Sequence, residues 1–501
     1  MKELLQKYKK IRNRLNAFSY AMYVISWDSE TEAPKGCFEN RSNQIGELVS
    51  MMLEISHSDD YINTVKTLFE NRKKLSKDDA LEIEKVYEYL MKEIKIPENK
   101  LIEYEILLSK ANQVWCDAKL TNNYELFKPV LEQIINWQRK YISYLETEEL
   151  KGYNVLLNDY EKGFTMKEYD GFFNALKKDL VPFVKEITSK NIIDDSFVTK
   201  NYDVQKQKEF AMYLMDVMCF DKNYGLTKES EHPFTSGNGT TDVRVTTHYY
   251  ENLITSSIFS MIHELGHGTY ERQCNPKYDN TALSGGTTMA MHESQSRFYE
   301  NIVGRDYNFW KKHYPKLQKL FKKNLKDVTL EEFYKAVNKS EKSLIRTEAD
   351  ELTYPLHIMV RYDIEKKIYE ENLNVDELPK MWNKLYKEYL DIEVPNDTQG
   401  ILQDIHWAGG SFGYFPTYAL GSAYAAQLYN QMKKELDVEK VFGEKNLKKV
   451  NKWLGDKVHK YAGSKTPKEI LLLATGEEFN PKYYIEYLKE KYSKIYNVIE
   501  N

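Results

Sequence analysis

Apolar residues recur every three or four positions along the first 150 residues. Leu4, Leu5, Tyr8, Ile11 and Leu15 fall on one face of a helix, the spacing that an amphipathic helix requires. Met51, Met52, Leu53 and Ile55 close the apolar face of a second helix. The segments 78–94 and 98–120 are charged on one side and apolar on the other, and predict two more. Between the first two helices, Trp27 to Gly36 reads as a polar turn carrying Pro34 and Gly36. The chain turns irregular around 150–165. A helix then begins with the capping box Thr165–Glu168 and extends to about Lys190. Asp203 caps the next helix, which carries Phe210, Leu214 and Val217.

Beyond Phe220 the period changes. A Gly/Ser/Thr loop at 231–241 leads into Asp242 to His248, where Val243 and Val245 alternate with Arg244, Thr246 and His248. That alternation is the best strand signal in the chain. One face is apolar and the other carries an arginine, a threonine and a histidine. A small sheet here offers an extended peptide a strand edge to pair with. From Lys312 helices return, one of them capped by Thr329 and Glu332, and 466–498 is helical again. No internal repeat, low-complexity segment or linker interrupts the chain. The expectation is a mainly α protein, one unit over 1–501, with a helical N-terminal half to about 200 and a chemistry-bearing half over 201–501.

An apolar run, Ile258 to Ile262, precedes His263-Glu264-Leu265-Gly266-His267. On a helix the two histidines lie four residues apart on one face. Two imidazoles so placed can share a tetrahedral metal ion. Glu264 points beside that ion and suits a base acting on water. The bland alternative is an ordinary helix with two histidines and a glutamate. Seven of the ten histidines lie between 232 and 357, and His406 lies beyond. This clustering favours the metal reading.

A catalytic zinc needs a third protein ligand and an open position. Glu293, in His292-Glu293-Ser294-Gln295, follows the first motif across a Gly/Thr loop. His292 is the rival ligand, and Glu293 is preferred because two imidazoles and a carboxylate form the usual hydrolytic set. A tetrahedral oxyanion also needs a donor. The stretch Gly413 to Tyr418 offers Tyr414 and Tyr418, for which aromatic packing is the equal alternative. Arg244 and Arg346 are each able to grip a carboxylate bidentately. Arg346 lies in a predicted helix with acidic neighbours. For either arginine taken alone, a structural ion pair with Asp350 or Asp242 is the favoured alternative.

Composition narrows the classes. The chain has 501 residues, 42% apolar and 29% charged, with net charge −5, so it is globular. The absence of a basic run argues against nucleic acid as partner; the 39 tyrosines are spread, not clustered with arginines. No stretch reaches the ~18 apolar residues of a membrane span, and the N-terminus lacks a signal-peptide core. A soluble cytosolic protein is expected. Cys37, Cys116, Cys219 and Cys274 are far apart and form no C-x-x-C pair, so free thiols in a reducing compartment are expected.

Six motifs follow one another along 232–407. They are His232-Pro233-Phe234, then Asp242-x-Arg244-x-Thr246, then His263-Glu264-x-x-His267. His292-Glu293-Ser294-Gln295 and Ile345-Arg346-Thr347-x-Ala349-Asp350 come next, and Gly400-x-x-Gln403-Asp404-x-His406-Trp407 closes the series. In this order they resemble the carboxypeptidase Taq family of metallocarboxypeptidases. Trp27-Asp28-x-Glu30-Thr31 resembles the family's opening. Ala33 departs from the methionine expected before Pro34, outside the metal motifs.

The resemblance implies a mostly helical fold with two halves flanking a deep groove and a small sheet beside the zinc helix. It implies removal of single residues from peptide C-termini with broad specificity, one Zn²⁺ per chain (or Co²⁺ in its place), and a homodimer. It makes His263, His267 and Glu293 the metal ligands and Glu264 the base. Arg346, with Arg244 or nearby donors, holds the substrate carboxylate, and His232, His406 and Tyr414 line the site. The competing readings are a related zinc oligopeptidase that cuts internally or removes dipeptides, and a helical binding protein with a vestigial metal site. Glu264 argues against the second, because a structural metal site has no need of it.

Overall fold

The computed structural model describes residues 1–190 and 193–498. The N-terminal helices are α1 (Lys2–Thr31), α2 (Phe38–Ser56), α3 (Asp59–Glu70) and α4 (Lys77–Ile94). Tyr8, Leu15, Tyr61, Val65, Leu68, Ile83, Val86 and Leu90 form a small hydrophobic core of their own. From α5 (Glu98–Leu120) and α6 (Tyr124–Leu145) onward the buried residues belong to a second, much larger core. The first core is drawn from residues before about 95.

Three local expectations change. Trp27 to Thr31 is helix, not turn, because α1 continues until Thr31. Trp27 is buried against Phe234, with ring centroids 5.5 Å apart, so the last turn of α1 is held from outside. Helix α2 buries no side chain. Met51 is 42% exposed and Leu53 45%, so these two do not close a core face. The segment near 150–165 contains a short helix, α7 (Tyr153–Tyr160), with Val155, Leu156 and Leu157 buried.

The capping expectations hold. Thr165 and Glu168 form a capping box on α8 (Met166–Ile187), and Asp203 caps α9 (Val204–Val217). The sheet has the order β1-β3-β2, with β1 (Gly225–Glu229) parallel and β2 (Thr235–Gly237) antiparallel to β3 (Val243–Thr247). The central position of β3 buries Thr246 and Thr247 as well as Val243 and Val245. The strand is therefore not half polar, and both of its edges are taken. The free edge beside the metal motif belongs to β2.

The motif helix α10 (Ile254–Gln273) buries Ile258, Met261, Ile262 and Leu265. Helix α11 (Met289–Arg297) runs into a π-helical turn, Phe298–Val303. Behind these come α12 (Tyr307–Leu320), α13 (Lys322–Leu325), α14 (Leu330–Val337), α15 (Tyr354–Glu370), α16 (Leu378–Leu390) and α17 (Pro416–Glu435). Thr329 and Glu332 form the expected capping box on α14. Arg346 lies not in a full helix but in a single 3₁₀ turn, Arg346–Glu348. Among the described residues, no helix is long and apolar enough to cross a membrane.

Candidate metal centre and substrate groove

Two glycines let neighbouring helices close on α11. A Cβ on Gly266 would fall 2.8 Å from the Cα of Ser296, and one on Gly421 of α17 would fall 2.9 Å from Cβ and Cγ of Glu293. Only bare backbone permits approaches this close. The first sets the face of α10 carrying His263 and His267 against α11, and the second seats Glu293 against α17. His263, His267 and Glu293 each offer one ligand atom, and these atoms all lie within 4.8 Å of one another. The Nε2 atoms of His263 and His267 lie 3.7 and 3.6 Å from Glu293 Oε2.

Each of these groups is held from behind. His263 Nδ1 donates to Glu300 Oε2 at 2.8 Å. His267 Nδ1 pairs with His292 Nδ1 at 2.6 Å, and His292 Nε2 pairs with Glu271 Oε1 at 2.7 Å. These bonds leave both Nε2 atoms facing Glu293, the arrangement in which outer partners orient metal-binding imidazoles. His292 thus stands behind His267 and not among the three converging groups. Arg297 donates through Nε to Glu293 Oε1 at 2.6 Å. Burial opposes ionisation of Glu293, but Arg297 and the two histidines hold its carboxyl well below the usual range. Burial pushes His267 down to about 3, keeping it neutral.

Glu264 points elsewhere. Thr235 Oγ1, on β2, lies 2.6 Å from Glu264 Oε2 and 2.9 Å from its carbonyl oxygen. Burial raises the Glu264 carboxyl above its ordinary range, toward the pKa of an effective base.

A cavity of about 1280 Å³ opens beside these groups. His263, Glu264 and Glu293 line it, together with His232, Arg346, Tyr354 and Tyr418. His232 is exposed. Arg346 is 7% exposed and binds Asp404, not the Asp350 considered from sequence. His406 and Tyr414 do not reach the cavity wall. His406 Nε2 lies 3.3 Å from the Tyr418 hydroxyl, and the Tyr414 ring packs edge-on against Tyr418. Arg244 is also outside the lining. Its Nε and Nη2 each donate to Asp242 at 2.8 Å, and its guanidinium stacks over Tyr23 and Trp27 of α1. It ties α1 to the sheet. Sequence reasoning overlooked Thr235, Arg297, Glu300, Tyr354 and Arg361. Only Arg361, buried among apolar residues of α15, left a signal in the pattern.

The carboxypeptidase Taq (M32) metallopeptidase family model matches residues 7–492. Carboxypeptidase 1 of Bacillus subtilis is 41% identical over 493 residues, 98% of each chain. Thermostable carboxypeptidase 1 of Pyrococcus furiosus is 33% identical, also over 98% of each. The crystal structure of the M32 carboxypeptidase from Deinococcus radiodurans superposes with a TM-score of 0.95 at 29% identity, covering 99% of this chain and 100% of that one. A match of this extent, over the same motifs that converge in space, means that the chain belongs to the carboxypeptidase Taq (M32) family and is a metal-dependent carboxypeptidase, a peptide hydrolase.

Proposed function

We propose that the protein releases single residues from the C-termini of peptides, with broad specificity, using one zinc ion held by His263, His267 and Glu293. The ligand set supports the metal: two imidazole nitrogens and an ionised carboxylate, converging and each oriented by an outer partner. Cobalt suits the same donors. When bound there, the ion supplies Lewis-acid polarisation of the scissile carbonyl and makes water acidic enough to lose a proton near neutral pH.

The chain's own residues do the rest. Glu264 accepts the proton of the attacking water and passes it to the departing amine. Thr235 holds the Glu264 carboxylate in place for both transfers. Tyr418, on the cavity wall, is the donor for the developing oxyanion, with His406 and Tyr414 fixing its ring from behind. His232 borders the same space. The outer edge of β2 offers backbone groups to the peptide upstream of the scissile bond. Arg346 receives the terminal carboxylate.

One observation carries this reading: His263, Glu264, Glu293 and Arg346 line a single cavity. A cavity closed by a guanidinium favours a chain end over an internal bond. The reading includes a homodimer, taken from the family resemblance, in the cytosol, where four free cysteines fit a reducing compartment. The test is a blocked tripeptide offered with a free or an amidated C-terminus. Cleavage of the free acid alone is expected. Equal cleavage of both would make the enzyme an oligopeptidase.

A further inference from the structure

At the Arg346 end of the cavity, two guanidiniums share one carboxylate. Asp404 accepts through Oδ1 from Arg346 Nε at 3.1 Å and Nη2 at 2.8 Å. Its Oδ2 accepts from Arg361 Nε at 2.7 Å. Among the described residues, neither arginine has a second acidic partner. The other contacts are neutral. Arg361 donates to the His357 carbonyl and to Gln403 Oε1, both at 2.7 Å, and Arg346 Nη1 lies 3.3 Å from the Tyr354 hydroxyl. Two cations and one anion leave one positive charge in excess.

No second carboxylate is paired with either guanidinium among the described residues. Glu365, one turn beyond Arg361, is turned toward Tyr153, Trp407 and the backbone N–H of Gly413. Burial raises its carboxyl to about 7. His406 is pushed down to about 4 by burial and by Arg346, so it is neutral and adds no charge. Arg361 is fully buried, whereas Arg346 lines the cavity. A buried charge without a partner is costly and is kept where a counter-ion arrives. Arg244 shows the opposite case: both oxygens of Asp242 close on one guanidinium, and the pair is neutral.

We propose that Arg361 acts through Arg346. By occupying one oxygen of Asp404, it prevents Arg346 from forming a closed neutral pair and leaves its charge available to the free carboxylate of the peptide's last residue. Arg361 is then a positioning residue for C-terminal recognition and touches no substrate. The inference rests on the reading of Arg346 as the carboxylate site.

The experiment measures KM and kcat for a blocked tripeptide with a free C-terminus. The metal content and thermal unfolding of each variant are checked alongside. R361Q makes the cluster neutral, and about a tenfold rise in KM with a much smaller change in kcat is expected. The double variant R361Q/D404N restores one excess positive charge, and KM returns to within about threefold of wild type. R361K keeps the charge without the planar fork and also stays near the wild-type KM, which decides the matter if R361Q fails to fold. A double variant as poor as R361Q, or R361K as poor as R361Q, overturns the proposal in favour of a packing role. R346Q separates the two levels. If R346Q raises KM and R361Q does not, this inference falls and the carboxylate site stands. If R346Q itself leaves KM unchanged, the carboxylate reading fails.

Discussion

Glu300 Oε2 accepts a hydrogen bond from His263 Nδ1 over 2.8 Å, and it does so from a π-helical turn. The turn Phe298–Val303 continues directly from α11, which carries Glu293. The wider turn changes the rotation of the chain. Glu293 and Glu300 both flank His263, with Arg297 bridging them at 2.6 and 3.1 Å. Replacing Glu300 by Gln is expected to weaken metal binding about 10–100-fold while the protein stays folded. A chelator competition titration reads this directly. Unchanged metal affinity would show that Glu300 only packs against Arg297 and Arg305.

Glu264 is held by Thr235 and is not one of the three converging groups. The substitution Glu264→Gln should therefore leave metal content intact. Turnover should fall by about 10²–10⁴-fold, the usual worth of a positioned base. Loss of metal in this variant would place Glu264 among the ligands.

Gly421 is the floor beneath Glu293. A Cβ there meets the Glu293 stem at 2.9 Å and the Ala290 carbonyl at 3.0 Å. The carbonyl belongs to helix backbone and yields little. Gly421→Ala is expected to cost about 1–3 kcal/mol of stability and to displace Glu293 from the histidines. Metal affinity and melting temperature should drop together. A variant as stable and as metal-avid as wild type would mean that α17 simply shifts.

Glu161 is fully buried, with its Oε1 3.0 Å from the Tyr424 hydroxyl. Burial raises its carboxyl from the usual 4.5 to about 7. Between these values the folded protein holds a proton that the unfolded chain has lost. The contribution to stability is complete below pH 4.5 and is lost as pH rises through about 7. A difference of that size is worth about 3 kcal/mol across the window. Glu161→Gln should remove this part of the pH dependence, seen as a flatter melting temperature between pH 5 and about 7. An unchanged slope would assign the effect to other groups, Glu365 first.

Much of the site was legible in the order of the residues. His263, Glu264 and His267 need only one regular helix to share a face, so a local pattern was enough. Glu293 was reachable because its chemistry completes a known donor set and a short loop connects it. The arginines were not separable in this way. Arg244 and Arg346 carry the same side chain beside acidic residues. One closes on Asp242 two positions away, and the other meets Asp404 from a distant segment. Thr235 and Glu300 gave no usable signal, since isolated threonines and glutamates are common and their partners lie far along the chain.

Helix content, the capping boxes, the central strand and the H-E-x-x-H face were determined by the sequence itself, because periodicity and backbone hydrogen bonding act over a few residues. The extension of α1 through Trp27, the burial of both faces of β3 and the single turn at Arg346 were decided by packing. So was the charge state of the cavity's far wall. Which oxygen of Asp404 each arginine takes depends on how α15 and the 3₁₀ turn meet the 400–407 segment. Electrostatic pairing over such separations is a property of the folded arrangement, where burial makes each unmatched charge count.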